Sequence, residues 1–398
     1  MTAAGNISIV LRHGGGKAGG VEIKTARPLA ARVLIGKTPD QVLELVPLLF
    51  AVCANAQCHA ALRAYRMAVA MAADPRLDAA REILVQVETL REHAWRIALD
   101  WPGFAGLRAD KSLPSALLKF DAHFKRCLFA NAEAFKADSR LAIDMPALLA
   151  LTSELAALID AAVFAGRLKS FQAISSEQQL RDWLRENPTI PACLLKQVYS
   201  RNWEAIGQNP VNCLPELETL RLSRQMALED LSAYARLPRW QGHCFETTAL
   251  NRQLSRPLIA ELHGRYHNGL LVRLVARLLE LSLIPSHLSL LAERLLADAV
   301  MEAEAPCGDG LGLGQVQAAR GLLIHRMVLR RGLVEDYCIV APTEWNFHPD
   351  GVVAQGLQSL RAEDAAALRL QARLLLNAVD PCVQYDLSLA DNGTENHA

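Results

Sequence analysis

Between residues 54 and 303 one helix-forming stretch follows another, and no low-complexity linker or internal repeat divides the chain. Helices are expected at about 54–73, 77–99, 114–135, 145–166 and 176–186, the last opened by Ser176 and Gln179 at capping-box spacing. Four prolines, Pro188, Pro191, Pro210 and Pro215, predict an irregular connection from Asn187 to Leu220. Helices resume at about 222–236, 254–283 and 287–303. Ahead of this body, Val42, Leu43, Leu45, Val46, Leu48 and Leu49 are too densely apolar for a surface helix, so that segment is expected to be buried. The β signals sit near the two ends. Ile7 to Leu11 and Val21 to Lys24 flank a glycine-rich turn from Gly14 to Gly20, and Gly321 to Leu329 and Val334 to Val340 flank Arg330-Arg331-Gly332. A last helix, about 362–379, leads to Asp380-Pro381-Cys382, and Asp386 to Ala398 reads as a polar, frayed tail. The sum is a mainly α chain with small β-sheets near both sequence ends, an α+β unit whose 398 residues form one domain.

Composition then removes several function classes. Lys+Arg and Asp+Glu both stand at 42, so no basic excess exists to neutralise phosphates, and nucleic-acid binding is not expected. A charge-neutral chain with 51% hydrophobic residues is weakly protected against association, which points to a partner surface. The most apolar stretch, Met145 to Gly166, carries Glu154 and Asp160, so membrane insertion is not expected, and Met1 to Val10 lacks the pattern of a secretory signal. Nine cysteines spread from Cys53 to Cys382 do not form a disulfide framework; they fit a reduced, cytoplasmic protein with thiols in its core.

Single motifs say little. The run CGDGLGLG from Cys307 to Gly314 lacks the preceding strand and following helix of a dinucleotide loop, and reads as a tight connection allowing close backbone packing. His263 and His267 have the spacing of two zinc ligands, but no Glu follows His263 and Gly264 weakens the helix. Cys53, Cys58 and His59 resemble a metal cluster, yet on a helix Cys58 would sit about 140° around from Cys53.

Taken together and in order, several landmarks resemble the large subunit of nickel-iron hydrogenases. Pro342-Thr343-Glu344-Trp345-Asn346 resembles that family's PTTWN segment, and Asp380-Pro381-Cys382 its C-terminal DPCxxC motif. The stretch from Gly310 to Gly321, with Arg320, is similar to the glycine-rich approach to its VEAPRG motif. Leu49 to Cys53 falls at its RxCGxC motif, and Glu246 to Arg252 is similar to its EVGPLAR stretch. The likeness spans most of the chain, with helical character alone carrying about 100–235. It implies the multihelical fold of that large subunit.

In that family two cysteine pairs hold nickel and an Fe(CN)2CO unit. Here Cys53 and Cys382 match the first cysteine of each pair, while the second positions hold Ala56 and Tyr385. Ala4-Gly5-Asn6 stands where the enzymes have Glu-Gly-His, Ala319 replaces a proline, and Gln317 replaces a glutamate. Four-thiolate nickel coordination cannot be built, so nickel and hydrogen turnover are not expected. Arg320 and Thr343, the latter after Pro342, match residues that face the iron diatomics. Loss of nickel ligands with a retained iron pocket resembles the hydrogenase expression/formation proteins of the HupK/HoxV type. That resemblance implies a cytoplasmic, non-catalytic maturation scaffold. Cys53 and Cys382 would ligate the Fe(CN)2CO fragment transiently, with Cys58 or His59 a third ligand if the local backbone is not helical. Arg320 and Thr343 would bond its cyanides, and the partners would be maturation proteins of the HypC/HypD type and the immature large subunit. Two other readings remain: a metal-free chaperone mimicking the large subunit, and a divergent hydrogenase-like or quinone-reductase-like enzyme.

Overall fold

Alternation of apolar residues starts the fold. In β1 (Asn6–Gly14) Ile7, Ile9 and Leu11 are buried while Ser8 and Arg12 are exposed, so one face of the strand seals against the protein. The computed structural model describes residues 5–391 except 15, 16, 27–29, 299, 302 and 304. β2 (Lys17–Ala26) pairs antiparallel with β1 and takes in Lys17 to Gly20, which the sequence had suggested as turn. On the other side of β1, a strand formed by Gln384–Asp391 (β6 in chain order) runs parallel, with Asn6 opposite Gln384 and Ile7 opposite Tyr385. The expected frayed tail is therefore a strand as far as Asp391. Its residues alternate between exposed polar and half-buried apolar ones, and Tyr385, Leu387 and Leu389 pack on the apolar cluster that holds Ile7, Ile9 and Leu11.

α1 (Pro39–Leu49) begins at a complete capping box between Thr38 and Gln41. It is amphipathic rather than wholly buried: Val42, Leu43 and Val46 face the core, but Leu48 is 78% exposed. The chain turns through about 100° at a short 3-10 turn, Ala51–Cys53, into α2 (Ala54–Ala68). α3 (Pro75–Trp95) then packs on the helix Leu270–Arg294, whose inward residues join the largest apolar core. That helix passes through Pro285 without the break expected between 283 and 287. By length and composition it and the stretch Met145–Phe164 could each cross a membrane, contrary to the expectation from charged residues alone. In the fold, Leu270–Arg294 is a core helix, with Arg273 and Glu280 in buried ion pairs.

Other boundaries also move. The helix expected over 114–135 is two, Ser112–Leu117 and Phe120–Leu128; that over 222–236 is also two, Thr219–Ala227 and Leu231–Arg236. The helix expected from 254 gives way to Pro257–Tyr266, ended by His267 at φ 48°. Ile190–Ser200 is helical where an irregular connection was expected. Pro191 occupies its first turn, where no backbone N–H is needed, and Thr189 caps it. Ser176 does cap Glu177–Glu186, but the Gln179 side chain turns to Ser175, so the box is half formed.

The second sheet is antiparallel in the order β3 (Leu311–Ala318), β4 (Gly321–Arg330), β5 (Leu333–Val340). The first half of the glycine-rich run, Cys307 to Gly310, is a turn as expected, while Leu311 to Gly314 already belong to β3. Close packing is its purpose: a Cβ at Gly312 would lie 2.0 Å from the Ala64 carbonyl oxygen, and one at Gly314 1.9 Å from that of Ala60. Glycine alone lets β3 lie on the α2 backbone.

Candidate functional site

The chain reaches one largely buried site from three directions. Cys53 ends the 3-10 turn and caps the start of α2. Arg320 sits in the tight turn between β3 and β4 and is buried. Cys382 follows the helix Ala365–Val379, which Asp380 ends in the left-handed conformation, φ 64°. Just after β5, Pro342 opens the short helix Pro342–Asn346, because its missing N–H costs nothing in a first turn.

Thr343 therefore lies on a helical turn, not in the strand where plain packing would have put it. Its hydroxyl is 3.0 Å from the Cys382 sulfur and accepts the Cys382 backbone N–H at 3.2 Å. The expected contact of this hydroxyl is thus made to a sulfur. Cys382 is close enough to Cys53 to influence the ionisation of the Cys53 thiol. Burial pushes the Cys53 thiol well above the usual range, charge on Cys382 and Glu88 adds to this, and Gln57 and Arg320 oppose it.

The guanidinium of Arg320 is held by two carboxylates, not by carbonyls. Nη2 is 3.1 Å from Glu92 of α3, and Nε is 3.5 Å from Asp380. Burial works against its charge, but Asp380, Glu92 and the sulfurs of Cys382 and Cys53 hold it firmly protonated. Against the opposing effect of burial, Arg320, Arg96 and Arg277 bring the Asp380 carboxyl down to about 2. Arg320 Nη1 is buried and has no hydrogen-bond partner among the described residues. A spare charged donor beside two thiols suits an anionic acceptor bound to a soft metal.

Cys58 and His59 do not join. α2 is helical through both; Cys58 lies in an apolar cluster with Leu62 and Tyr337, its thiol pushed up to about 12 by burial, and His59 is 3.7 Å from Asp78. Among the described residues no three His, Cys, Asp or Glu side chains form a group able to hold a metal ion. Ala56 is fully buried and Tyr385 half-buried in β6, and neither side chain carries a thiol. Ala4 lies outside the described residues; Asn6 opens β1 beside Asp386.

Sequence reasoning missed the acidic side of the pocket. Glu88 and Glu92 stand one turn apart on α3, two buried carboxylates on an otherwise apolar face, and that spacing was the available signal. Glu88 accepts the backbone N–H groups of Asn55 at 2.9 Å and Ala56 at 3.3 Å, anchoring the start of α2 beside Cys53. Its burial pushes the carboxyl up to about 7. The stretch from Glu246 to Arg252 proves structural. Glu246 makes a two-point ion pair with Arg273, 2.9 and 2.8 Å, and Arg252 binds Glu280.

No protein-family model matches the chain. Among curated proteins it is 31% identical over 385 residues to the hydrogenase expression/formation protein HoxV of Cupriavidus necator, covering 93% of each chain. It is 29% identical over 391 residues to HupV of Azotobacter chroococcum and to HupK of Azotobacter vinelandii, covering 97% of this chain and 99% of either relative. Among solved structures it superposes on a nickel-iron-selenium hydrogenase of Desulfovibrio vulgaris Hildenborough with a TM-score of 0.64 at 15% identity, covering 96% of this chain and 99% of that one. An NAD+-reducing nickel-iron hydrogenase gives 0.58 at 14% identity, covering 93% and 94%.

Proposed function

This chain belongs to the hydrogenase expression/formation proteins of the HupK/HoxV type, and on that basis we propose that it is a non-catalytic scaffold in nickel-iron hydrogenase maturation. Its cargo is the Fe(CN)2CO fragment, held between Cys53 and Cys382 before transfer to the hydrogenase large subunit. One observation carries this reading. Two half-buried thiols from distant parts of the chain lie beside a buried guanidinium whose Nη1 and Nε have no hydrogen-bond partner among the described residues.

Each element has a role. The sulfurs, once deprotonated, are the soft ligands that low-spin iron prefers. Arg320 Nη1 donates to an anionic cyanide, while Glu92 and Asp380 fix the guanidinium plane from behind. Thr343 orients the Cys382 sulfur from its hydroxyl and tethers the Cys382 backbone. Two sulfurs in place of the family's four suit a carrier that must give its cargo up. Burial keeps the Cys53 thiol protonated in the empty site, so loading and proton release go together. The handover partners are maturation proteins of the HypC/HypD type and the immature large subunit, met in the cytoplasm.

A metal-free chaperone is the second reading. It is favoured by the absence, among the described residues, of a third metal-ligating side chain beside the two thiols, and by the carboxylates that already balance Arg320. The test is an infrared spectrum, in the cyanide and carbonyl stretching region, of protein purified anaerobically from cells making the iron cofactor. Bands lost in Cys53→Ala and in Cys382→Ala are expected. A silent wild-type spectrum, with hydrogenase maturation intact in both variants, would favour the chaperone.

A further inference from the structure

Cys53 terminates a buried hydrogen-bond chain that holding the cargo does not by itself require. Gln57, one turn along α2, places Nε2 3.6 Å from the Cys53 sulfur. Its Oε1 is 2.8 Å from Nε2 of His325 in β4, and His325 Nδ1 is 2.8 Å from the Tyr337 hydroxyl in β5. Gln57, His325 and Tyr337 are 2%, 0% and 5% exposed, so bulk water does not compete for these bonds.

Chemistry gives the chain a direction. An amide oxygen only accepts, so His325 donates from Nε2 and leaves Nδ1 bare for the Tyr337 hydroxyl to donate into. Burial pushes the His325 imidazole down to about 3, so it stays neutral and carries a single ring proton. Burial likewise keeps the Tyr337 hydroxyl protonated. Three donations run the same way and end in an N–H aimed at sulfur. The edge-on packing of the His325 and Tyr337 rings, 5.7 Å apart at 85°, fixes the far end. An N–H aimed at sulfur suits a sulfur that acts as acceptor, which is the state that binds a soft metal.

We propose that Gln57, His325 and Tyr337 are positioning residues that hold the Cys53 sulfur as a pre-oriented acceptor for a soft metal. This rests on the reading of Cys53 as a ligand, and none of the three touches the metal. Within the family likeness, Gln57 lies just past Ala56, so an amide next to a lost cysteine position steadies the one that remains.

Cadmium(II), titrated anaerobically into the full-length protein and followed by its sulfur-to-metal absorption, separates this from a purely structural role. Wild type should develop a band that is absent from Cys53→Ala. Gln57→Leu should bind about tenfold more weakly, the usual effect of removing an outer-shell partner. Tyr337→Phe keeps the ring and removes only the donor; it should weaken binding by less, while its far-ultraviolet circular dichroism stays that of the wild type. Wild-type cadmium affinity in both folded variants, or no Cys53-dependent band in the wild type, overturns the proposal. An infrared-silent protein that still shows the graded cadmium losses would remove the iron cargo and support the hydrogen-bond chain.

Discussion

Gly314→Ala tests the contact on which the pocket's geometry depends. The new methyl carbon would stand 1.9 Å from the Ala60 carbonyl oxygen and 2.8 Å from the Ala64 nitrogen, both backbone atoms of α2. Ordinary contact is about 3.5 Å, so strand and helix must part by about 1.5 Å. Neither neighbour is a side chain that can swing away. Overpacking commonly costs about 1–3 kcal/mol, and two backbones in collision place this variant at about 3 kcal/mol. Because α2 begins at Cys53, the same separation should draw that thiol from Cys382 and weaken cargo retention. Gly264→Ala is the control: it lies in a helix with nothing within 4 Å of the added carbon, and should stabilise by about 0.5–1 kcal/mol. Urea unfolding of the three proteins measures both effects. A Gly314→Ala unfolding free energy within about 0.5 kcal/mol of wild type would refute the claim that glycine is required for this approach.

Glu246 and Arg273 are 0% and 1% exposed, so Glu246→Gln should strand a buried guanidinium and cost about 3–5 kcal/mol in thermal unfolding. The Glu88 carboxyl, raised by burial to about 7, has a folded value above its unfolded one, so its protonated form favours the fold and that contribution fades as pH rises from about 4.5 to about 7. Denaturation at pH 5 and pH 8 should show up to about 3 kcal/mol of this loss in wild type and less in Glu88→Gln. Arg320→Lys keeps the charge but cannot reach Glu92 and Asp380 together while presenting a third donor. It should fold, and its cyanide bands should shift or disappear; unchanged bands would detach Arg320 from the cargo.

The sequence disclosed the family-like landmarks better than the elements between them. Cys53, Arg320, Thr343 and Cys382 converge as their motifs implied, because short rigid punctuation marks (a cap, a tight turn, a proline-started helix, a helix end) set each one. Gly312 and Gly314 misled because glycine usually signals a turn, whereas here it answers to a helix contributed by residues far away in sequence. Pro191 misled for the opposite reason: it breaks helices inside but not at their first turn. β6 alternates Tyr385, Leu387 and Leu389 with polar residues, but its partner β1 lies about 380 residues away, so only the fold reveals the pairing. The spacing of Glu88 and Glu92 is local, but the group that Glu92 meets and the hydrogen-bond chain through His325 depend on tertiary neighbours, which no local pattern names.

The parallel pairing of β6 with β1 sets a schedule on synthesis. Asn6 leaves the ribosome about 380 residues before Gln384, and the strand that completes its sheet follows directly on the Cys382 segment. A nascent chain can fold its helices as they emerge, but it cannot bring the second thiol to the first until the Cys382 segment has itself left the ribosome. Half-made polypeptides would therefore lack the paired sulfurs, which restricts loading to molecules whose body is already in place.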